Sequence, residues 1–189
     1  MTNDSAQTEQ CTPTGPATCT AHPWLWADNG IEQPVTERLW SGKWLWFPPV
    51  SLLDAAWDTV RAATQNGLLG CRSKAATLIN TRFGNDDSRR PICVYTHDWR
   101  DIEDVRRALT ALRDLGVVDV LLYKTNADTA RGRYGRAAST YKALPGRRDV
   151  IIPRRTELLL EHHHTARHNA RKAAEQRKRT LSPRGVERG

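Results

Sequence analysis

Residues 41–47 read SGKWLWF. Trp44, Leu45, Trp46 and Phe47 form an apolar, aromatic run that Pro48 and Pro49 stop, because proline brings no backbone donor to a ladder. Residues 43–47 therefore predict a strand. Trp40 stands just upstream, and five of the seven tryptophans fall between Trp24 and Trp46. Tryptophan is a large group to bury and also the best flat surface for a base or a cation. The stretch thus has two candidate uses, a core strand or a binding platform.

Working outward, Ser51 opens a helix with Asp54 as a capping-box acid three residues on. Leu53, Ala56, Trp57, Val60 and Thr64 recur at helical spacing, and Gly67 closes it, which makes Trp57 a core residue. Residues 74–82 (KAATLINTR) and 92–96 (ICVYT) predict two strands joined by the polar turn FGNDDSRRP. Asp101 caps a helix whose apolar face carries Ile102, Val105, Leu109, Leu112 and Leu115, ended by Gly116. Residues 117–124 (VVDVLLYK) predict a further strand, and Asn126 caps a short helix to about residue 130. The order is strand, helix, strand, strand, helix, strand, and the turn makes the middle strands antiparallel. That order predicts an α+β domain with a mainly antiparallel sheet, helices on one face and the other face left for function.

The chain ends differ from this middle. Residues 1–22 lack apolar periodicity and are rich in Thr, Ser, Pro and Gln, which predicts a disordered leader. Residues 131–189 carry 16 Lys and Arg against 5 Asp and Glu, so the formal charge of +8 is entirely C-terminal and residues 1–130 are net −3. A block of that sign attracts phosphate-bearing partners or keeps a tail solvated. The expected divisions are a leader at 1–22, a domain at 23–145 and a basic, partly helical or disordered tail at 146–189. No charged start leads into an apolar stretch, and no window approaches about 20 apolar residues. The expectation is a cytoplasmic protein with no membrane partner. The four cysteines lack paired zinc spacing, and the tail histidines His162, His163, His164 and His168 lack a third ligand on a rigid element. Neither a metal nor a cofactor is expected.

Catalytic signatures are equally sparse. There is no phosphate-cradling glycine loop and no nucleophile elbow, turn chemistry accounts for Asp86 and Asp87, and PICVYTHDW lacks the stacking motif of RNA-recognition domains. Three signals do coincide. Aromatics gather at Trp24, Trp26, Trp40, Trp44 and Trp46. Basic residues sit at strand ends and in the turn (Lys74, Arg82, Arg89, Arg90, Lys124). Tyr95 alternates with buried neighbours. An aromatic surface beside cations suits a nucleotide or RNA, one part stacking the base and the other neutralising phosphate. Trp44 and Trp57 are assigned to the core, Trp26 and Trp40 to function.

The stretches SGKWLWF, KAAT, ICVYTHDWRDIEDVRRALTALRDLG and YKTNADTARGRY resemble the basophilic-leukemia-expressed protein family, some bacterial members of which are labelled phosphothreonine lyase domain proteins. The chain is also similar to the cap-binding translation initiation factor, with which that family is grouped by fold. Gly42, Lys43, Trp44 and Leu45 match the factor's glycine–basic–tryptophan–leucine strand, and Ile92 to Thr96 match another. The resemblance implies a curved sheet. It further implies that Arg82 contacts phosphate with Arg89 or Arg90 beside it, that Tyr95 stands where a tryptophan faces the ligand, and that Trp26 and Asp28 stack and read a base. The lyase label would instead make Lys74 or Lys124 a base and His97 an acid, with a phosphoprotein as substrate. The favoured expectation is a non-catalytic nucleotide- or RNA-binding module. The alternatives are a phosphothreonine lyase-like enzyme and a protein-interaction adaptor.

Overall fold

The computed structural model describes residues 15–31, 40–80, 88–133 and 139–181. The chain divides into two compact units, Met1–Ile151 and Ile152–Gly189. The first contains β1 (Trp24–Asp28), β2 (Gly42–Trp46), α1 (Leu53–Gln65), β3 (Arg72–Ala76), β4 (Ile92–Thr96), α2 (Ile102–Asp114), β5 (Leu121–Thr125), α3 (Asn126–Ala130) and β6 (Tyr141–Ala143). Its six strands run in the order β1-β3-β4-β2-β5-β6, every neighbouring pair antiparallel. This is the α+β, antiparallel architecture expected. The second unit holds α4 (Arg154–Leu181), a basic helix with Leu158 and Leu159 exposed. Among the described residues no helix is long and apolar enough to cross a membrane.

SGKWLWF supplies β2, inside the sheet between β4 and β5. Successive strand side chains point to opposite faces, and β2 sorts its residues sharply by that rule. Trp44 lies opposite Val94 on one side and Tyr123 on the other, and it is 1% exposed. Its indole Nε1 donates to the Val105 carbonyl of α2 at 3.0 Å, and its ring meets Tyr123 edge-on at 5.2 Å. Tyr123 in turn packs on Tyr141. α1 covers the same face through Leu53, Trp57 and Val60, and the Thr64 and Ser73 hydroxyls meet across it at 2.7 Å. α1 and α2 therefore both lie on the Trp44 face. A side chain at Gly42 would collide with the Tyr123 ring, so the first residue of β2 must be glycine.

Asp101 caps α2 as expected, accepting from the Glu103 and Asp104 N–H groups. Several local expectations change. α1 enters through a short 3-10 turn (Val50–Leu52) with no side-chain cap. Its Asp54 accepts instead from the Ala17 N–H at 2.8 Å. Residues 15–22, which composition assigns to a disordered leader, are accordingly tied to the domain, with Cys19 buried. β3 ends at Ala76 rather than continuing to residue 82, because Thr77–Asn80 forms a turn closed by Asn80 N–H to the Thr77 carbonyl. β5 begins four residues later than expected. Val117 is drawn into the end of α2, its N–H on the Leu112 carbonyl, after Gly116 takes φ 86°. β1 and β6 add two strands to the four that the sequence pattern predicts. β6 has three residues, too few for a pattern, and an antiparallel bridge from Lys142 to Ile151 braces it.

Candidate functional site

The alternation that buries Trp44 turns Lys43 and Leu45 to the opposite face of β2. Cross-strand register fixes their company: Lys43 lies opposite Tyr95 of β4 and Lys124 of β5, Lys74 of β3 lies opposite Cys93, and Trp26 of β1 lies opposite Lys74. Residues two apart share a face, which adds Trp24, Asp28 and Arg72. Across β1 to β5 the face turned away from α1 and α2 thus presents two tryptophans, a tyrosine, four cations and, at its edge, Asp28.

These groups touch. Trp26, 50% exposed, stacks on Tyr95 with ring centres 6.2 Å apart and planes 22° from parallel. The Lys74 ammonium lies 3.8 Å from the Trp24 ring centre, 4.8 Å from Trp26 and 5.9 Å from Tyr95. Arg72 stands 5.5 Å from the Trp26 ring and Lys43 stands 5.2 Å from that of Tyr95. Aromatic faces are negative, so three rings form a cradle for an ammonium. Lys43, 6% exposed, reaches α3, where its ammonium donates to Asn126 Oδ1 at 2.9 Å and Thr129 Oγ1 at 3.1 Å. Both acceptors are neutral.

The cations are held at a disadvantage. Burial, with the charges of Lys74 and Lys124 adding to it, pushes Lys43 down to about 8. Burial also lowers Lys74 and Lys124, the latter partly offset by Asp128. Among the described residues the ion pairs are made by arginines, and no carboxylate pairs with Lys43 or Lys74. Burial raises Tyr95 and Cys93 well above their ordinary values, so both are neutral and add no negative charge.

Of the residues singled out from sequence, Trp26 and Tyr95 come together on this face. Asp28 shares it and also accepts the Gly30 N–H at 3.2 Å. Lys74 and Lys124 share it too, on either side of β4 and β2. Trp40 is placed elsewhere: the Arg100 guanidinium lies 3.7 Å from its ring and is locked by Asp98. Arg89 and Arg90 sit at the end of β4 opposite Tyr95. Arg89 donates to the Phe47 carbonyl, and Arg90 donates to the Arg89 carbonyl. His97 lies past β4, its backbone N–H facing Asp104. Arg82 lies outside the described residues. Sequence reasoning passed over Lys43, Arg72 and Trp24 as site residues. The signal was available in the period-two alternation, which separates Lys43 from Trp44 and places Trp24 with Trp26.

The site is therefore an aromatic and lysine-rich sheet face backed by a helix-covered core. The family described as Basophilic leukemia-expressed protein Bles03 matches residues 20–130, more than half of the chain. The chain belongs to that family, and the match includes β1 to β5 with every face residue named above. Among solved structures, the chain is similar to one in the complex of C. elegans eIF4E-3 with the 4E-binding protein Mextli and cap analog. Identity is 18% and the TM-score 0.43, over 57% of this chain and 65% of that one. The chain thus spans less than two thirds of that relative's length. A TM-score of that size carries no ligand, partner or residue role across to this chain.

Proposed function

We propose that this protein is a non-catalytic module that binds a nucleotide or a short RNA on the sheet face opposite α1 and α2. The base stacks on Trp26, already aligned with Tyr95, and phosphate is met by Lys43, Lys74 and Arg72. One observation carries this: a half-exposed tryptophan stands over Lys74, with Lys43 beyond Tyr95, and these two lysines have rings and neutral oxygens, not carboxylates, as partners. Stacking of one base is worth about 1–3 kcal/mol, so phosphate contacts must supply much of the affinity, and binding must weaken as salt rises. Tryptophan fluorescence titrated with purine nucleotides and a short RNA tests this. Quenching should saturate in the unmodified protein, fall with added salt and be lost in Trp26→Ala. Absence of quenching by every nucleotide and RNA tried refutes nucleotide binding.

A further inference from the structure

Two buried lysines face each other across β2 and β5. Lys43 and Lys124 are direct cross-strand partners, and both are more than nine-tenths covered. Like charges directly opposite on adjacent strands are unfavourable, and burying each charge adds to the penalty. Lys74 compounds the crowding, since its ammonium and that of Lys43 lie 5.9 and 5.2 Å from the same Tyr95 ring centre. Surface lysines would avoid this by extending into water. Here Lys43 is instead fixed inward by Asn126 and Thr129. Lys43 and Lys74 thus meet at the Tyr95 ring, with Lys124, its charge offset in part by Asp128, opposite Lys43, an arrangement that a compact anion relieves.

We infer that the Lys43–Lys124 pair, with Lys74 beside it, seats a terminal phosphoryl group, a phosphomonoester or a pyrophosphate, of a nucleotide whose base lies on Trp26. This rests on nucleotide binding at the same face and narrows it to ligands with a free phosphate end. A phosphomonoester brings about −1.5 to −2 charge at pH 7 and three acceptor oxygens, which suits three ammonium groups. An internal phosphodiester brings one charge and an ester substituent on each side. That single charge offsets a cluster of ammonium groups less completely than a phosphoryl end does. The geometry thus favours a 5′-phosphorylated nucleotide or RNA end over the interior of an RNA strand.

Calorimetric titrations of the full chain with inorganic pyrophosphate, adenosine 5′-monophosphate, adenosine, 3′,5′-cyclic adenosine monophosphate and a phosphothreonine peptide test the inference. Pyrophosphate and the 5′-monophosphate should bind, with adenosine and the cyclic diester at least tenfold weaker. Lys43→Met should weaken pyrophosphate at least tenfold. Lys124→Met provides the same readout should the first variant fold poorly. Trp26→Ala should weaken the 5′-monophosphate and leave pyrophosphate unchanged. Equal affinity for the diester and the monoester overturns the inference, as does pyrophosphate binding that neither lysine variant alters. Adenosine binding lost in Trp26→Ala, without any pyrophosphate binding, overturns the phosphoryl seat and leaves stacking intact. Lysine-dependent binding of pyrophosphate and the phosphopeptide, with no nucleotide bound, keeps the phosphoryl seat and overturns nucleotide binding.

Discussion

Replacing Lys43 by methionine should make the unliganded protein more stable. A lysine lowered from 10.5 to about 8 by folding disfavours the native state at neutral pH by about 3 kcal/mol. Methionine has similar length, no charge and a side chain suited to the space between Tyr95 and α3. Against that gain stand two hydrogen bonds, to Asn126 Oδ1 and Thr129 Oγ1, each worth on the order of 1 kcal/mol. The net expectation for Lys43→Met is a gain of about 1 kcal/mol at pH 7. The sign with pH follows from the same shift. The unfolded chain holds the Lys43 proton up to about 10.5 and the native chain only to about 8, so the native protein regains stability as pH rises through that window. Lys74 and Lys124 act in the same direction. Raised Cys71, Cys93 and tyrosines act oppositely. Only the difference between variant and parent isolates Lys43. Urea unfolding at pH 7 and pH 10 should show the variant's advantage at pH 7 shrinking or reversing at pH 10. A variant less stable than the parent by 1 kcal/mol or more at pH 7, with the same difference at pH 10, would show that Lys43 is an ordinary structural residue.

Three further substitutions probe the scaffold. A methyl group at Gly70 would meet the Tyr95 backbone carbonyl, so Gly70→Ala should cost on the order of 2–3 kcal/mol in urea unfolding. Arg113, buried in α2, donates to the carbonyls of Val117, Asp119, Leu144 and Arg147. Arg113→Met should destabilise by about 3 kcal/mol, and amide hydrogen exchange should accelerate in residues 115–120 and 144–147. Asp101→Ala removes the α2 cap and should cost about 1 kcal/mol in thermal unfolding.

Legibility from sequence followed the strength of the local pattern. α1 and α2 were readable because their apolar residues repeat over three turns and glycine ends them. β2 and β4 were readable as dense runs of apolar and β-branched residues. β1 was not, because WLWAD is short and its outward Trp24 and Trp26 look like loop aromatics until Lys74 and Tyr95 are seen beneath them. Strand alternation alone separated Trp44 from Lys43, and it answers the question posed by SGKWLWF: the tryptophan is core and the lysine belongs to the face. What stayed hidden was pairing across the sheet. No local pattern announces that Lys43 meets Lys124, which is 81 residues away, or that Trp40 is taken up by Arg100 rather than joining Trp26.

The most direct test follows the indole N–H signals of the seven tryptophans by NMR while a purine 5′-triphosphate is added. The Trp26 indole should shift progressively and saturate. Those of Trp44 and Trp46, held by the Val105 carbonyl and Asp119, should stay in place. Shifts confined to Trp40, or no movement of Trp26 at ligand concentrations that saturate binding, would contradict a base stacked on the sheet face.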